Sequence, residues 1–240
     1  MIALAKRILF PLLPKKVLKK MRGRHYLNKF SELTGEDEPE MLVIKTLISE
    51  NDVVLDIGAN FGAYTKFFTD AVGAGGMVYS FEPIPEVNGY LRANLLSCDI
   101  KNVKVQDFAL SDTSGKASFS IPKFDHSGEN FYEGHLTDGE GDIIVEVKRL
   151  DDLELQEKVS FVKCDVEGAE LMVMKGAIEF TAKHRPIYML EINSEPSSKE
   201  AQELIQFMMS LGYEIKFMSK GALVKDLPSI HGVNYFFFPN

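Results

Sequence analysis

The chain has no tryptophan and only two cysteines, Cys98 and Cys164, in 240 residues. Two thiols in apolar surroundings are too few for a disulfide framework or a zinc site, so a reducing, cytoplasmic compartment is expected. No apolar run reaches the roughly 20 residues of a membrane-spanning helix. The N-terminal stretch also lacks the uninterrupted apolar core and small-residue cleavage site of a secretory leader. Acid is absent from residues 1–30, where nine of the 27 Lys and Arg lie, leaving 18 basic against 35 acidic residues, a net of −17, in the rest.

That asymmetry predicts a basic arm over residues 1–37 and an acidic body over 38–240. A hydrophobic fraction of 45% and a charged fraction of 26% are ordinary for a globular domain with a substantial core. The arm mixes aliphatic and cationic residues as interfacial helices do, and Pro11 and Pro14 break it into two pieces. Two readings stay open. Residues 1–24 contact an anionic inner-membrane face near a lipid-linked substrate, or the arm packs on its own domain or on a second subunit of an oligomer. Nucleic acid is disfavoured, because a basic arm without a basic groove gives only weak, non-specific affinity.

The centre of the sequence is Asp52-Val53-Val54-Leu55-Asp56-Ile57-Gly58-Ala59-Asn60-Phe61-Gly62. A short β-branched run followed by two glycines reads as a buried parallel strand and a tight turn into a helix, Ala63 to Val72. A Gly-rich break precedes a second strand, Met77 to Phe81, closed by Glu82, where a ribose diol is normally held. The turn shows neither G-x-G-x-x-G nor G-x-x-x-x-G-K-[ST]. Its D-x-G-x-x-x-G pattern sets a carboxylate at the mouth, which repels a pyrophosphate but suits an ammonium joined to adenosine, as in S-adenosylmethionine. Asp56, Gly58, Asn60, Gly62 and Glu82 are the donor candidates. Asp107, at the end of a third strand from Val103, and the backbone of Ala109 lie where an adenine would sit.

Helices are expected over 38–49, 85–98 and 199–211. An insertion at about 116–149 reads as two strands, Ala117–Ile121 and Ile143–Val147, around a long loop that holds His126, Asn130, Phe131, Tyr132 and His135. Either histidine could serve as a general base, or the loop could be plain polar surface. The strand Val159–Cys164 delivers Asp165-Val166-Glu167-Gly168-Ala169-Glu170 to a helix over 171–182. Glu170 suits a capping role there and Asp165 the acceptor side. Pro186–Leu190 ends at Glu191 on the same rim. Asp165, Glu191 and Asn193 could bind a divalent metal through oxygen, or only hydrogen-bond an acceptor, and the second is preferred. Strands at 213–218, 222–224 and 233–238 end the chain, the aromatic run being core.

Taken in order, Val54-Leu55-Asp56-Ile57-Gly58-Ala59-Asn60-Phe61-Gly62, Phe81-Glu82-Pro83, Ala109-Leu110-Ser111-Asp112, Lys163-Cys164-Asp165-Val166-Glu167-Gly168-Ala169-Glu170-Leu171, Arg185-Pro186-Ile187 and Leu190-Glu191-Ile192 resemble the signature of FkbM methyltransferases. Cys164 departs from it, standing where an aliphatic residue is usual. The resemblance implies an α/β class I methyltransferase (Rossmann-like) fold, with a seven-stranded, mostly parallel sheet, an antiparallel C-terminal strand and the β-hairpin insertion. It implies S-adenosyl-L-methionine as donor, held by Asp56, Gly58 and Glu82, and O-methylation of a sugar in a glycan or natural product. In that scheme Asp165, with His126 or Glu191, orients and deprotonates the hydroxyl. An aminopropyltransferase on the same fold and a non-catalytic, donor-binding scaffold in a glycan assembly complex are the alternatives.

Overall fold

The computed structural model describes residues 13–35, 37–124, 128–137, 139–227 and 233–240. The central sheet is built from β1 (Val53–Ile57), β2 (Met77–Phe81), β3 (Val103–Gln106), β10 (Val159–Cys164), β11 (Ile187–Glu191), β12 (Tyr213–Ser219), β13 (Ala222–Val224) and β14 (Asn234–Pro239). Their order is β13-β12-β14-β11-β10-β1-β2-β3. The five strands from β3 to β11 are parallel, and β14 runs antiparallel to both of its neighbours. The sheet has eight strands rather than the seven expected, because Ala222–Val224 folds back and pairs antiparallel with β12.

All five residues of β1, Asp56 among four apolar ones, are buried, as a strand covered on both faces must be. Successive side chains point to opposite faces and so divide the core in two. Leu55, Val162 and Leu190 pack with Val173, Phe180 and Leu204 on one side. Val54, Phe161, Met189 and Phe236 pack with Met41, Ile44, Phe67 and Phe68 on the other. The helices supplying these partners are α2 (Pro39–Ile44), α3 (Ala63–Val72), α5 (Glu170–Lys175), α6 (Ile178–His184) and α7 (Lys199–Ser210); α4 (Pro85–Ser97) follows β2. α2 ends five residues earlier than expected, its chain continuing in turns to Ile48.

The helix expected over 171–182 is two helices, broken at Gly176. A Cβ there would lie 2.0 Å from the carbonyl oxygen of Ser111, so the missing side chain lets two backbones cross. Asp151 then accepts from the Phe180 amide at 2.8 Å, inside the first turn of α6.

The insertion forms its own sheet, in the order β4 (Ala109–Leu110), β9 (Ile143–Lys148), β5 (Gly115–Ser120) and β8 (His135–Thr137). The expected hairpin is there, with Ala117 opposite Val145. Not foreseen were β8, the parallel pairing of β4 with β9, and the small ribbon β6 (Lys123–Phe124) with β7 (Gly128–Glu129).

Within the basic arm, α1 (Lys15–Glu32) packs on the body. The Tyr26 ring stacks on Phe61 at 3.3 Å between centroids, and Phe30 is buried. Arg22 pairs with Glu86 at 3.0 Å, and the Tyr90 hydroxyl donates to the Lys19 carbonyl at 3.0 Å. No helix among the described residues is long and apolar enough to cross a membrane.

Gly176→Ala is expected to destabilise the domain by about 1–3 kcal/mol through overpacking against Ser111. Denaturant unfolding would read this as a lower midpoint with an unchanged slope.

Candidate active site

The carboxyl ends of the parallel strands open into one cavity of about 260 Å³. Gly58, Asn60, Glu82, Ile84, Ala109 and Phe131 line one part of it, and Asp165, Glu167 and Glu191 line another. Phe119 and Leu136, from β5 and β8, close it from the insertion side. Six predicted site residues thus meet: Gly58, Asn60, Glu82, Ala109, Asp165 and Glu191.

Of the remaining four, three do not line it and His126 lies outside the described residues. Asp56 lies beneath the cavity, fully buried, its Oδ2 accepting from the Thr65 hydroxyl at 2.6 Å. Gly62 starts α3 with φ 95°, and a Cβ there would meet Leu91 at 2.5 Å. Its glycine character therefore serves the packing of α4 against the turn. Asp107 is exposed and not among the lining residues, because β3 ends at Gln106 and the chain turns inward only with Phe108. His135, at the start of β8, is half-exposed and held by the Glu133 carbonyl at 2.9 Å.

On the donor side, Gly58 has φ 80°, and a Cβ would fall 1.7 Å from the carbonyl oxygen of Asp165, so only glycine allows the two strand ends to meet. Glu82 is buried and accepts from the amides of Asn60 (3.0 Å) and Ile84 (2.8 Å). Burial pushes its carboxyl up to about 7, against the pull of those two amides. The Oδ1 atoms of Asn60 and Asp56 are buried without a hydrogen-bond partner among the described residues. Acceptors left free at a glycine turn, with a carboxylate at the end of β2, fit the ammonium and ribose diol of S-adenosylmethionine.

The other end is a charge network. Lys163 is almost wholly buried; its ammonium donates to Asp165 Oδ2 at 2.9 Å and lies 4.7 Å from the centre of the Tyr64 ring. The opposing charges of Asp165 and Asp56 outweigh burial and hold it protonated. Burial would raise Asp165, but the Lys163 ammonium and a hydrogen bond from Glu191 leave it below the usual carboxylate range. Glu191 goes the other way, lifted by burial and by the charge of Asp165. The two carboxyls therefore titrate as one pair, Asp165 held low and Glu191 lifted. Glu167 is raised to about 7, by burial first and then by Asp165.

The cation balancing Asp165 is an ammonium. Asn193 turns to Glu167 at 3.4 Å, and no three His, Cys, Asp or Glu side chains gather as a metal site among the described residues. Glu170, the first residue of α5, accepts from the amides of Val166 (2.9 Å) and Gly168 (3.2 Å), the structural role expected of it. Sequence reasoning missed Glu167, Ile84 and the wall of Phe119 and Leu136. Nothing local marks Ile84, and Glu167 is distinguished by its left-handed φ of 55°.

A model of the methyltransferase FkbM domain matches residues 56–215, two-thirds of the sequence. The chain belongs to the FkbM methyltransferase family. It is 27% identical over 223 residues to 2-O-methyltransferase NoeI of Sinorhizobium fredii, covering 86% of this chain and 87% of that protein. It is 28% identical over 151 residues to hexuronic acid methyltransferase AglP of Haloferax volcanii, covering 62% and 59% respectively. The structure of methyltransferase FkbM from Methylobacillus flagellatus shares the fold at a TM-score of 0.56 and 17% identity, over 90% of this chain and 59% of that one. A putative rRNA methylase from Clostridium thermocellum follows at 0.50 and 13%, over 81% and 89%.

This FkbM protein is a methyltransferase that uses S-adenosylmethionine, and the relatives do not favour aminopropyl transfer or a scaffold. When bound, the donor supplies an electrophilic methyl group on its sulfonium.

Were a ribose diol held by Glu82, only the ionised carboxylate could accept from both hydroxyls. Calorimetric titration should therefore show donor affinity falling as pH drops through about 7, approaching tenfold per unit below it. In Glu82→Gln, binding is expected to be weaker and that pH dependence lost.

Proposed function

We propose that this protein transfers a methyl group from S-adenosylmethionine to a hydroxyl of a sugar, in a glycan or a glycosylated intermediate. The observation that carries the reading is the carboxylate row Asp165, Glu167 and Glu191 at one end of the donor cavity. Carboxylates accept hydrogen bonds from vicinal hydroxyls, and three of them can fix one sugar ring in one orientation. The activities named for the two relatives, 2-O-methylation and methylation of a hexuronic acid, support the same acceptor class. A cytoplasmic setting fits two free thiols, Cys98 exposed and Cys164 buried.

Gly58, Asn60 and Glu82 bind the donor in this scheme, and Asp165 takes the acceptor hydroxyl. Asp56, set below the turn, orients it through Thr65. A sulfonium methyl is already activated, so the protein's main work is alignment of oxygen, carbon and sulfur. As the oxygen–carbon bond formed and the carbon–sulfur bond broke, releasing S-adenosylhomocysteine, the hydroxyl proton would become strongly acidic, and even a carboxylate held below its usual range could accept it. Asp165 would receive that proton, and Glu191, lifted by burial and by the charge of Asp165, would hold Asp165 in place by its hydrogen bond.

Assay with labelled donor against a panel of neutral and uronic sugars should find a methylated hydroxyl. Asp165→Asn is expected to lower kcat by about 10²–10⁴-fold with donor binding retained. Full turnover in that variant with an unchanged pH profile would remove Asp165 as the proton acceptor.

A further inference from the structure

We infer that the outer face of α1 is a docking surface for an anionic lipid bilayer. At 100° per residue, Lys16, Lys20 and Arg24 form one row along the helix, with Val17 and Met21 in the row beside it. All five are exposed, Val17 by 41% and Met21 by 46%. The opposite face is fixed to the body: Arg22 lies on Glu86 and over the Phe131 ring, Tyr26 stacks on Phe61, and Phe30 is buried. Lys66 donates to the carbonyls of Phe30 (3.2 Å) and Leu33 (2.7 Å), tying down the helix end. The face is therefore presented rigidly, without an ordering cost at binding.

Charge and shape select the occupant. Lys16, Lys20 and Arg24 make no ion pair among the described residues, whereas the chain beyond residue 30 carries a net charge of −17. An anionic surface repels the body and attracts this face, which sets one orientation. Phosphates of a nucleic acid would meet the cations but leave Val17 and Met21 in water; a bilayer interface accepts both. Phe131 is both a wall of the cavity and the ring under Arg22, so docking brings the cavity to within about one helix diameter, ~10–12 Å, of the headgroups. The inference is independent of which hydroxyl is methylated.

The test is co-sedimentation of the full chain with phosphatidylcholine vesicles, with and without phosphatidylglycerol. Binding should require the anionic lipid and weaken as salt rises. The triple variant Lys16→Glu/Lys20→Glu/Arg24→Glu should lose on the order of a hundredfold in partitioning, while its calorimetric titration with S-adenosylmethionine stays that of the native chain. Val17→Ser/Met21→Ser should weaken partitioning with the charges intact. Absent binding, equal binding to phosphatidylcholine alone, an unaffected triple variant that still binds donor, or preference for an oligonucleotide over vesicles would each overturn it.

Discussion

A buried ammonium beneath two strand ends is the constraint on which the site depends. Lys163 contacts Asp165, faces Asp56 and lies against the Tyr64 ring. An isolated charge at that depth would cost several kcal/mol, so the fold must bring these partners to it. β1 and β10 do so, because their parallel register sets Asp56 beside Lys163. The same register brings Gly58 onto the Asp165 carbonyl, where no side chain fits. The glycine turn and the carboxylate row are thus held against each other through one strand pair.

This network divides labour among like groups. Five carboxylates stand in or under the cavity, yet they do not share one protonation state. Asp165 is held below the usual carboxylate range by its ammonium, Glu191 is lifted by burial and then by the charge of Asp165, and Glu82 and Glu167 are lifted to about 7 by burial. The difference comes from neighbours rather than from residue type. Tyr64 extends the network away from the cavity, donating to Glu40 at 2.6 Å, and Glu40 also accepts from Asn234 at 2.7 Å. The first helix of the body and the last strand are so joined under the site.

The insertion and the arm complete the cavity from outside the central sheet. Phe119 and Leu136 come from the insertion sheet, while Phe131 follows the β6–β7 ribbon and is covered by Arg22 of α1. The arm lies before the matched domain and the insertion within it, so the cavity is walled from both sides of that boundary.

The parallel sheet, its two covered faces, the glycine turn beside Glu82, and Asp165 with Glu191 at one rim were legible in the sequence. Each follows from local chemistry: continuous β-branched runs, glycines at turns, and acidic residues closing strands. Only the tertiary structure decided that Gly176 splits a helix, that Gly62 serves packing, that Asp107 faces solvent and that Glu167 joins the cavity. Those outcomes depend on atoms brought together from distant segments, such as the Ser111 carbonyl against Gly176 or Leu91 against Gly62. Protonation was equally out of reach of the sequence, since burial and the neighbours of each carboxylate are set by strand register rather than by residue type.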